Sequence, residues 1–365
     1  MRVKVDYLIV GSGLTGATVA RLLTDAGREV LVVDRRAHGG GNVHDYTHES
    51  GIRIHSYGPH YFRTSSERIW EYVNRFAQFY PFEAVVQSLV DGRCENWPIA
   101  ASYIRAHIGE GWRPEFQGIP ANFEEAALSL MPRPIYEKFV KEYNEKQWGI
   151  PANQLAADLC KRFDVRADDD PRLTPRALHQ GLPQQGYAEL MCRMLENIPL
   201  HLNYDYVHRK EEITARKRLV FTGPIDELFE FALGRLVYRG QQRAHRYLPD
   251  VDFAQPVGQV NNPLHAGGRH IRTLEWKHMM PEELERTCKG TVLTTETPFT
   301  PASPNAYEYP LPDARNASLY ADYRRRADAM QGLLVCGRLG EYRYYDMDQA
   351  IAAAMTLAGQ LLGAG

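Results

Sequence analysis

Apolar positions dominate the first stretch of the chain. Val3 to Val10 alternates and then becomes continuously apolar, which predicts a strand buried in a parallel sheet. Leu14 to Ala26 carries apolar residues at helical spacing, and Val30 to Val33 is a second apolar run ending at Asp34. Together these make a strand, helix, strand unit. Ser66 to Phe79 reads as an amphipathic helix. Asn122 followed by Glu125 makes an N-cap with a return contact and opens a helix over Phe123 to Leu130. Pro134 suits the first turn of another helix, running to about Lys146. Leu219 to Thr222 and Leu333 to Gly337 read as buried strands. Two or three strands lie between Gly258 and Thr295, and Met347 to Leu362 is a closing helix. The polar run RADDDPRLTPR, Arg166 to Arg176, interrupts the pattern and reads as a mobile loop.

Chemistry enters at YLIVGSGLTG, Tyr7 to Gly16. Gly11, Gly13 and Gly16 follow a strand and open a helix at Leu14 and Thr15. Backbone without Cβ lets a pyrophosphate approach the helix N-terminus, where amide hydrogens and the dipole favour negative charge. Asp34 closes the second strand, where a carboxylate accepts hydrogen bonds from a ribose diol. Beyond it, RRAHGGGN (Arg35 to Asn42, with Gly40 and Gly41) lets the chain pass close to a bulky cofactor. LLVCGR and the helix after it return a second backbone surface to the same ligand. A final helix whose N-terminus meets an isoalloxazine ring would stabilise negative charge on it. These features favour FAD over NAD.

The 365 residues are 44% hydrophobic and 24% charged, which fits two or three globular units. A net charge of -2 argues against a nucleic-acid partner. The five cysteines are scattered, without zinc spacing, and read as free thiols in a reducing cytosol; no metal site is expected. No 18-residue apolar stretch predicts a membrane span, and no signal peptide is visible, so the expected location is cytoplasmic.

The chain resembles the bacterial FAD-dependent UDP-galactopyranose mutases along nearly its whole length. The carrying motifs are GSGLTGA, GGGN, IHSYGPHYFRT, IWEYVN, EYNEKQWG, KRFDVR, TGPIDELF, YRG and GRLGEYRYYDMDQ. The resemblance implies an α/β fold in three parts: a Rossmann-type FAD-binding domain, a helical domain and a twisted antiparallel sheet domain. The expected boundaries are 1–65 with 210–240 and 330–365 for the first, 66–165 for the second with a mobile loop at 162–182, and 183–210 with 241–330 for the third. It implies an isomerase that interconverts UDP-galactopyranose and UDP-galactofuranose, or a close analogue, for polysaccharide biosynthesis. The implied route is a covalent adduct between N5 of reduced FAD and the sugar's C1, with no net redox. NAD(P)H is the implied external reductant and a homodimer the implied assembly.

The same resemblance assigns roles. Arg162 and Arg272 match a pair that clamps the departing diphosphate, for which a planar guanidinium is suited. Tyr143, Tyr309 and Tyr344 match tyrosines that reach it. Trp148 matches a pocket-lining tryptophan, Phe139 an apolar wall, and His60 a histidine at the flavin's reactive edge. Asp346 is matched beside the active site, although a helix N-cap is the plainer reading. His55, Tyr57, Gly58, Thr222, Gly223, Arg338, Tyr345 and Met347 fall in motifs assigned to the cofactor. The departures sit on the substrate side. Pro59 and Arg63 replace a small residue and a histidine, Glu142 and Asn144 a glycine and a threonine, and His179 a tyrosine. Glu308 replaces an aromatic and Trp276 a histidine. Arg63 could add charge near the sugar and favour a 2-acetamido or acidic derivative, and Asn144 joins it among the expected substrate contacts. Two other readings stand beside the mutase: an FAD-dependent amine oxidase or dehydrogenase, and a nucleotide-sugar binding protein without catalysis.

Overall fold

A five-stranded parallel sheet forms the base of the molecule. In the computed structural model, which describes residues 3–163 and 165–363, its order is Leu200–His201, Val30–Val33, Val3–Val10, Ile213–Phe221 and Leu333–Val335. The sheet is apolar on both faces, as a parallel sheet must be. Tyr7, Ile9, Val30 and Val32 face a core shared with helices Leu14–Asp25 and Met347–Gly363. Leu8, Leu31, Val33 and Phe221 face a second core that includes Tyr323 and Ala327 of helix Ala314–Asp328.

A seven-stranded sheet stands apart from the first. Its order is Tyr309–Pro310, Tyr238–Leu248, Thr291–Phe299, Arg272–Glu275, Gln259–Asn261, Val86–Val90 and Arg93–Trp97. All pairs are antiparallel except Gln259–Asn261 with Val86–Val90. A third core lies in the helical region, around Phe123, Ile135, Tyr136, Phe139 and Trp148.

Several strands and helices depart from the expected boundaries. Leu200–His201 joins the parallel sheet, not the antiparallel one, because it pairs with Val32 and Val33. The hairpin Val86–Trp97 adds two strands to the large sheet inside a region expected to be mainly helical. Asp91 and Gly92 both take positive φ, 51° and 75°, as a tight hairpin turn requires. Helix Ala314–Asp328 packs on the parallel sheet, before the expected start at 330. The helix expected over Ser66 to Phe79 runs only over Glu67–Asn74, capped by Ser66 Oγ on Ile69 N. Phe79–Pro81 is instead a strand against His179–Pro183. The helix after Pro134 runs on through a π-turn to Trp148 and stops at Gly149, whose φ is +74°.

The stretch expected as a mobile loop is folded around one side chain. Arg166 donates to the carbonyls of Asp170 at 3.0 Å, Arg172 at 2.6 Å and Leu173 at 3.2 Å. Its far end, His179–Pro183, is the central strand of a three-stranded sheet with Phe62–Thr64 and Phe79–Pro81.

The first turn sets the edge of the parallel sheet. Gly11 has φ +101°, and a Cβ there would lie 2.0 Å from Thr222 Oγ1. A Cβ on Gly16 would lie 1.9 Å from the Gly11 carbonyl oxygen, a contact with backbone that no side-chain rotation relieves. Gly16→Ala is therefore expected to cost at least ~1–3 kcal/mol by overpacking, read as an earlier unfolding midpoint in urea. Gly359→Ala, in a helix with nothing near its added Cβ, is the contrast and should stabilise by up to about 1 kcal/mol. Equal midpoints for the two variants would contradict this account of the turn.

Candidate active site

An elongated cleft, open to solvent, lies along the C-terminal edge of the parallel sheet. Gly11, Gly13, Leu14, Thr15 and Gly16 line it from the first turn. Gly13 is the N-cap residue of the first helix and carries no capping side chain; the first turn also holds no acidic residue. Its amide end is thus left to an anion. Gly40, Gly41 and Asn42 form the adjoining wall, with Gly41 so close that a Cβ would lie 2.9 Å from Gly13 Cα. Thr222, Gly223, Arg338, Tyr345, Asp346 and Met347 close the other side. Two helix N-termini, at Gly13 and at Met347, therefore open on one elongated cleft. A glycine-walled groove with two such ends suits a dinucleotide whose far ring is anionic, so the residues present fit a flavin dinucleotide.

Asp34 lines the cleft with its carboxylate already engaged. Oδ2 accepts from Ser12 N at 2.7 Å and Ser12 Oγ at 2.6 Å, and Oδ1 accepts from Arg36 N at 2.9 Å. It ties the second strand to the first turn before any ribose arrives. Arg35, expected on the cofactor, makes a two-pronged ion pair with Glu227 at 2.8 and 2.7 Å while still bordering the cleft.

His55, Tyr57 and Gly58 lie behind the wall and do not line the cleft. His55 Nδ1 accepts from His60 N at 3.1 Å, and its ring packs 5.2 Å from Trp276. Tyr57 meets His38 Nε2 at 2.9 Å under the Arg36 guanidinium. Gly58, with φ +87°, accepts from His60 Nδ1 at 2.7 Å. These bonds settle both tautomers. A carbonyl only accepts, so Nδ1 of His60 carries hydrogen and, in the neutral ring, Nε2 is a bare acceptor. His55 has the reverse arrangement. Burial, with the neighbouring His55 second, pulls His60 down to about 3, and burial pulls His55 to about 3 as well.

The tyrosines and arginines on the substrate side come together at the cleft's end. Tyr309 and Tyr344 stack nearly parallel, 5.8 Å apart, and Arg338 lies over both rings at 5.5 and 4.8 Å. Burial and the neighbouring Tyr344 push the Tyr309 hydroxyl up to about 12, which keeps it a hydrogen-bond donor. Trp148 meets Tyr309 edge-on at 6.5 Å. Tyr143 lies close enough to Arg272 to affect its ionisation. Arg272 donates Nε to Glu296 at 2.5 Å. Arg63 donates to Asp346 at 3.2 Å, so the side chain with N-cap chemistry faces an arginine. Phe139, expected as a wall, is only 2% exposed and packs edge-on against Tyr103 in the helical core. Asn144 is likewise buried and donates to the Val140 carbonyl at 2.7 Å, within its own helix. Arg162 closes the turn Ala157–Arg162, and its side chain lies outside the described residues.

Four charged residues at this end were given no role by the motif reading, although Lys146 lies within EYNEKQWG and Glu308 stood as a departure: Lys146, Arg243, Glu296 and Glu308. Lys146 donates to the carbonyls of Asn262, Leu264, Gly268 and His270, at 2.6 to 3.2 Å, bracing the loop that delivers Arg272. Burial pulls its ammonium down to about 8. Glu296 carried a legible signal. It shares the buried parity of Val292 and Thr294 on its strand, where a carboxylate demands a partner.

The UDP-galactopyranose mutase family profile matches residues 138–344, and a NAD(P)-binding Rossmann-like profile matches residues 9–76. A probable UDP-galactopyranose mutase of Klebsiella pneumoniae is 30% identical, over 98% of this chain and 94% of that protein. A dTDP-fucopyranose mutase of Escherichia coli is 31% identical, over 96% and 97%. The crystal structure of a reduced UDP-galactopyranose mutase superposes with a TM-score of 0.76 at 16% identity, covering 99% of this chain and 96% of that one. No helix among the described residues is long and apolar enough to cross a membrane.

The buried histidines give the native state an acid limit. Their native pKa lies below the unfolded value near 6.5. Above that pH both states are neutral and nothing is gained or lost. As pH falls from 6.5 towards 3, the unfolded chain takes protons that the native chain refuses. Stability should then fall by up to about 1.4 kcal/mol per pH unit for His55. Urea midpoints of the wild type and His55→Gln at pH 7, 6 and 5 should converge as pH drops; parallel lines would show that His55 titrates normally in the native protein.

Proposed function

The chain belongs to the UDP-galactopyranose mutase family, and from that membership we propose that it interconverts the pyranose and furanose forms of a nucleotide sugar. The substrate we propose is UDP-galactopyranose or a close analogue. The observation that carries the reading is a set of donors gathered beside the dinucleotide cleft: Arg272, Tyr309 and Tyr344, next to Arg338. An amine-oxidising pocket has no use for such a set.

The dinucleotide in the cleft is FAD in this reading, held by the first turn, the Gly40–Asn42 wall and the two helix ends. When bound and reduced, it supplies a nucleophilic ring nitrogen to the anomeric carbon. The chain's own work is electrostatic and positional. Arg272 stabilises the charge that develops on the departing diphosphate, and Arg162 is its proposed partner. The Tyr309 and Tyr344 hydroxyls donate to the same oxygens. Trp148 walls the sugar. His60 presents Nε2 as an acceptor, which suits a hydrogen bond to a protonated ring edge or a sugar hydroxyl. Because the imidazole is neutral, it adds no cation that would compete with the arginines for the diphosphate.

Arg63 borders this site through Asp346, with side chains 27% and 36% exposed. A bulky or anionic substituent at C2 of the sugar would find a cation there that a histidine supplies less well. We also place the protein in the cytoplasm as a homodimer that draws its electrons from NAD(P)H.

Dithionite-reduced protein under anaerobic conditions should convert UDP-galactose to its furanose isomer with no net consumption of electrons. Arg272→Ala should lower kcat by roughly 10²–10³-fold, the usual effect of losing one preorganised donor to a developing anion. Arg63→His should shift the kcat/KM ratio of UDP-galactose to its 2-acetamido analogue by several-fold, up to about fivefold, towards the unsubstituted sugar. Bleaching of the oxidised protein by an amine substrate, with peroxide formed in air and no furanose product, would reject the mutase reading. An unchanged ratio would remove Arg63 from specificity.

A further inference from the structure

Arg272 is the last member of a buried row of charges that crosses the large sheet. Arg243, Glu296 and Arg272 stand in direct register on three neighbouring strands. Glu296, 0% exposed, accepts Nε of Arg243 on Oε1 at 2.7 Å and Nε of Arg272 on Oε2 at 2.5 Å. Arg243 turns both terminal nitrogens onto Glu308, NH1 to Oε1 at 2.9 Å and NH2 to Oε2 at 2.7 Å. Glu308 is 5% exposed and sits beside Tyr309. Two cations and two carboxylates balance in a place with little water.

The row also touches the loop that carries His60. A Cβ on Gly58 would lie 2.9 Å from Glu296 Oε1, 3.2 Å from Arg272 NH2 and 3.4 Å from Arg243 NH2. A rearrangement within the row would thus be felt at both ends of the site.

One buried carboxylate serves two arginines here, so the division of Glu296 between them is a competition. A guanidinium binds a carboxylate best through two parallel N–H groups. Arg243 satisfies that preference on Glu308 and gives Glu296 only its Nε. Remove Glu308, and Arg243 becomes a buried cation whose best remaining partner is both oxygens of Glu296. Arg272 would then lose the contact that aims it. Remove Arg243, and Glu308 becomes a buried anion beside the tyrosines proposed to receive the diphosphate. Remove both, and the Arg272–Glu296 pair remains intact and neutral.

We propose that Glu308 is a positioning residue: by occupying both terminal nitrogens of Arg243, it leaves Glu296 to Arg272 and keeps Arg272 aimed at the nucleotide diphosphate. This rests on the reading of Arg272 as a diphosphate ligand. It also gives a role to one residue that departs from the family's pattern at this site.

The test is calorimetric titration of UDP and of dTDP into the FAD-loaded protein, with Glu308→Gln, Arg243→Met and the double variant Arg243→Met/Glu308→Leu. The wild type should bind at least one of the two diphosphates. Each single variant should weaken that binding tenfold or more, with the flavin absorbance spectrum unchanged. The double variant should return to within about threefold of the wild type. If Arg243→Met does not fold, Arg243→Lys keeps the charge but cannot make the three bonds, and should weaken binding likewise. Single variants that bind as the wild type does, or a double variant as weak as the product of the singles, would overturn the proposal. A wild type that binds neither diphosphate would overturn the reading of Arg272 beneath it.

Discussion

The architecture rests on the close approach of backbone to backbone at one edge of the parallel sheet. Gly11, Gly16 and Gly41 make that approach possible, because a Cβ at any of them would meet backbone or Thr222 within 3 Å. Three separate returns of the chain are built against that edge: Gly40 to Asn42, Thr222 with Gly223, and Arg338 to Met347. Each return then places something else. The first leads through Asp45, whose carboxylate accepts from Tyr187 N and Ala188 N and so caps a helix. The third delivers Arg338, Tyr344 and Asp346 to the far end. The substrate side is therefore referenced to the cofactor side by covalent chain, not by soft contacts.

Charge is the second constraint. A site that holds a dinucleotide and a nucleotide sugar must manage several negative phosphates while keeping its own arginines from collapsing onto stray carboxylates. Three cations near the site are each satisfied by the protein's own groups. Arg35 has Glu227, Lys146 has four carbonyls, and Arg243 has Glu308. Arg272 pairs through Nε alone in its described hydrogen bond. Burial pushes the Glu296 carboxyl up, yet the two arginines beside it outweigh that and hold it below its ordinary value. Glu296 is thus ionised throughout the neutral range, as are the two arginines that face it. Breaking one member exposes a buried charge, whereas removing a balanced pair does not.

Local pattern carried most of the nucleotide half. The first strand, the helix after it, the second strand and the closing helix all lie within a residue or two of where apolar spacing puts them. The Val86–Trp97 hairpin carried a signal too, since Asp91-Gly92 after the strand-like run Val86 to Val90 is a turn signal, but it fell inside a stretch expected to be helical. Leu200–His201 is too short for any periodicity and is a strand only because its neighbour is. The substrate end is harder for a different reason. Glu296 finds Arg243 across 53 positions and Arg272 across 24, and those pairings exist only through sheet register. A sequence read in order shows that Glu296 is a carboxylate on a buried face, not which arginine answers it. Phe139 is legible in two ways, since family likeness puts it on an apolar wall and the fold packs it, like Trp148, in the helical core.

Asp346 joins the two halves. It precedes the last helix, whose amide end opens on the cleft, and a carboxylate there would cancel part of the positive end that an anionic ring edge needs. Its pairing with Arg63 removes that conflict by matching the carboxylate to a cation from the strand Phe62–Thr64. Both side chains are partly exposed, so the pair is worth no more than about 1 kcal/mol. That magnitude is too small to decide whether a dinucleotide binds, a task spread over the glycine turn and two helix ends. It is large enough to change the preference between two sugars several-fold. The same weak ion pair can therefore bear on the choice of sugar without disturbing the cofactor site beside it.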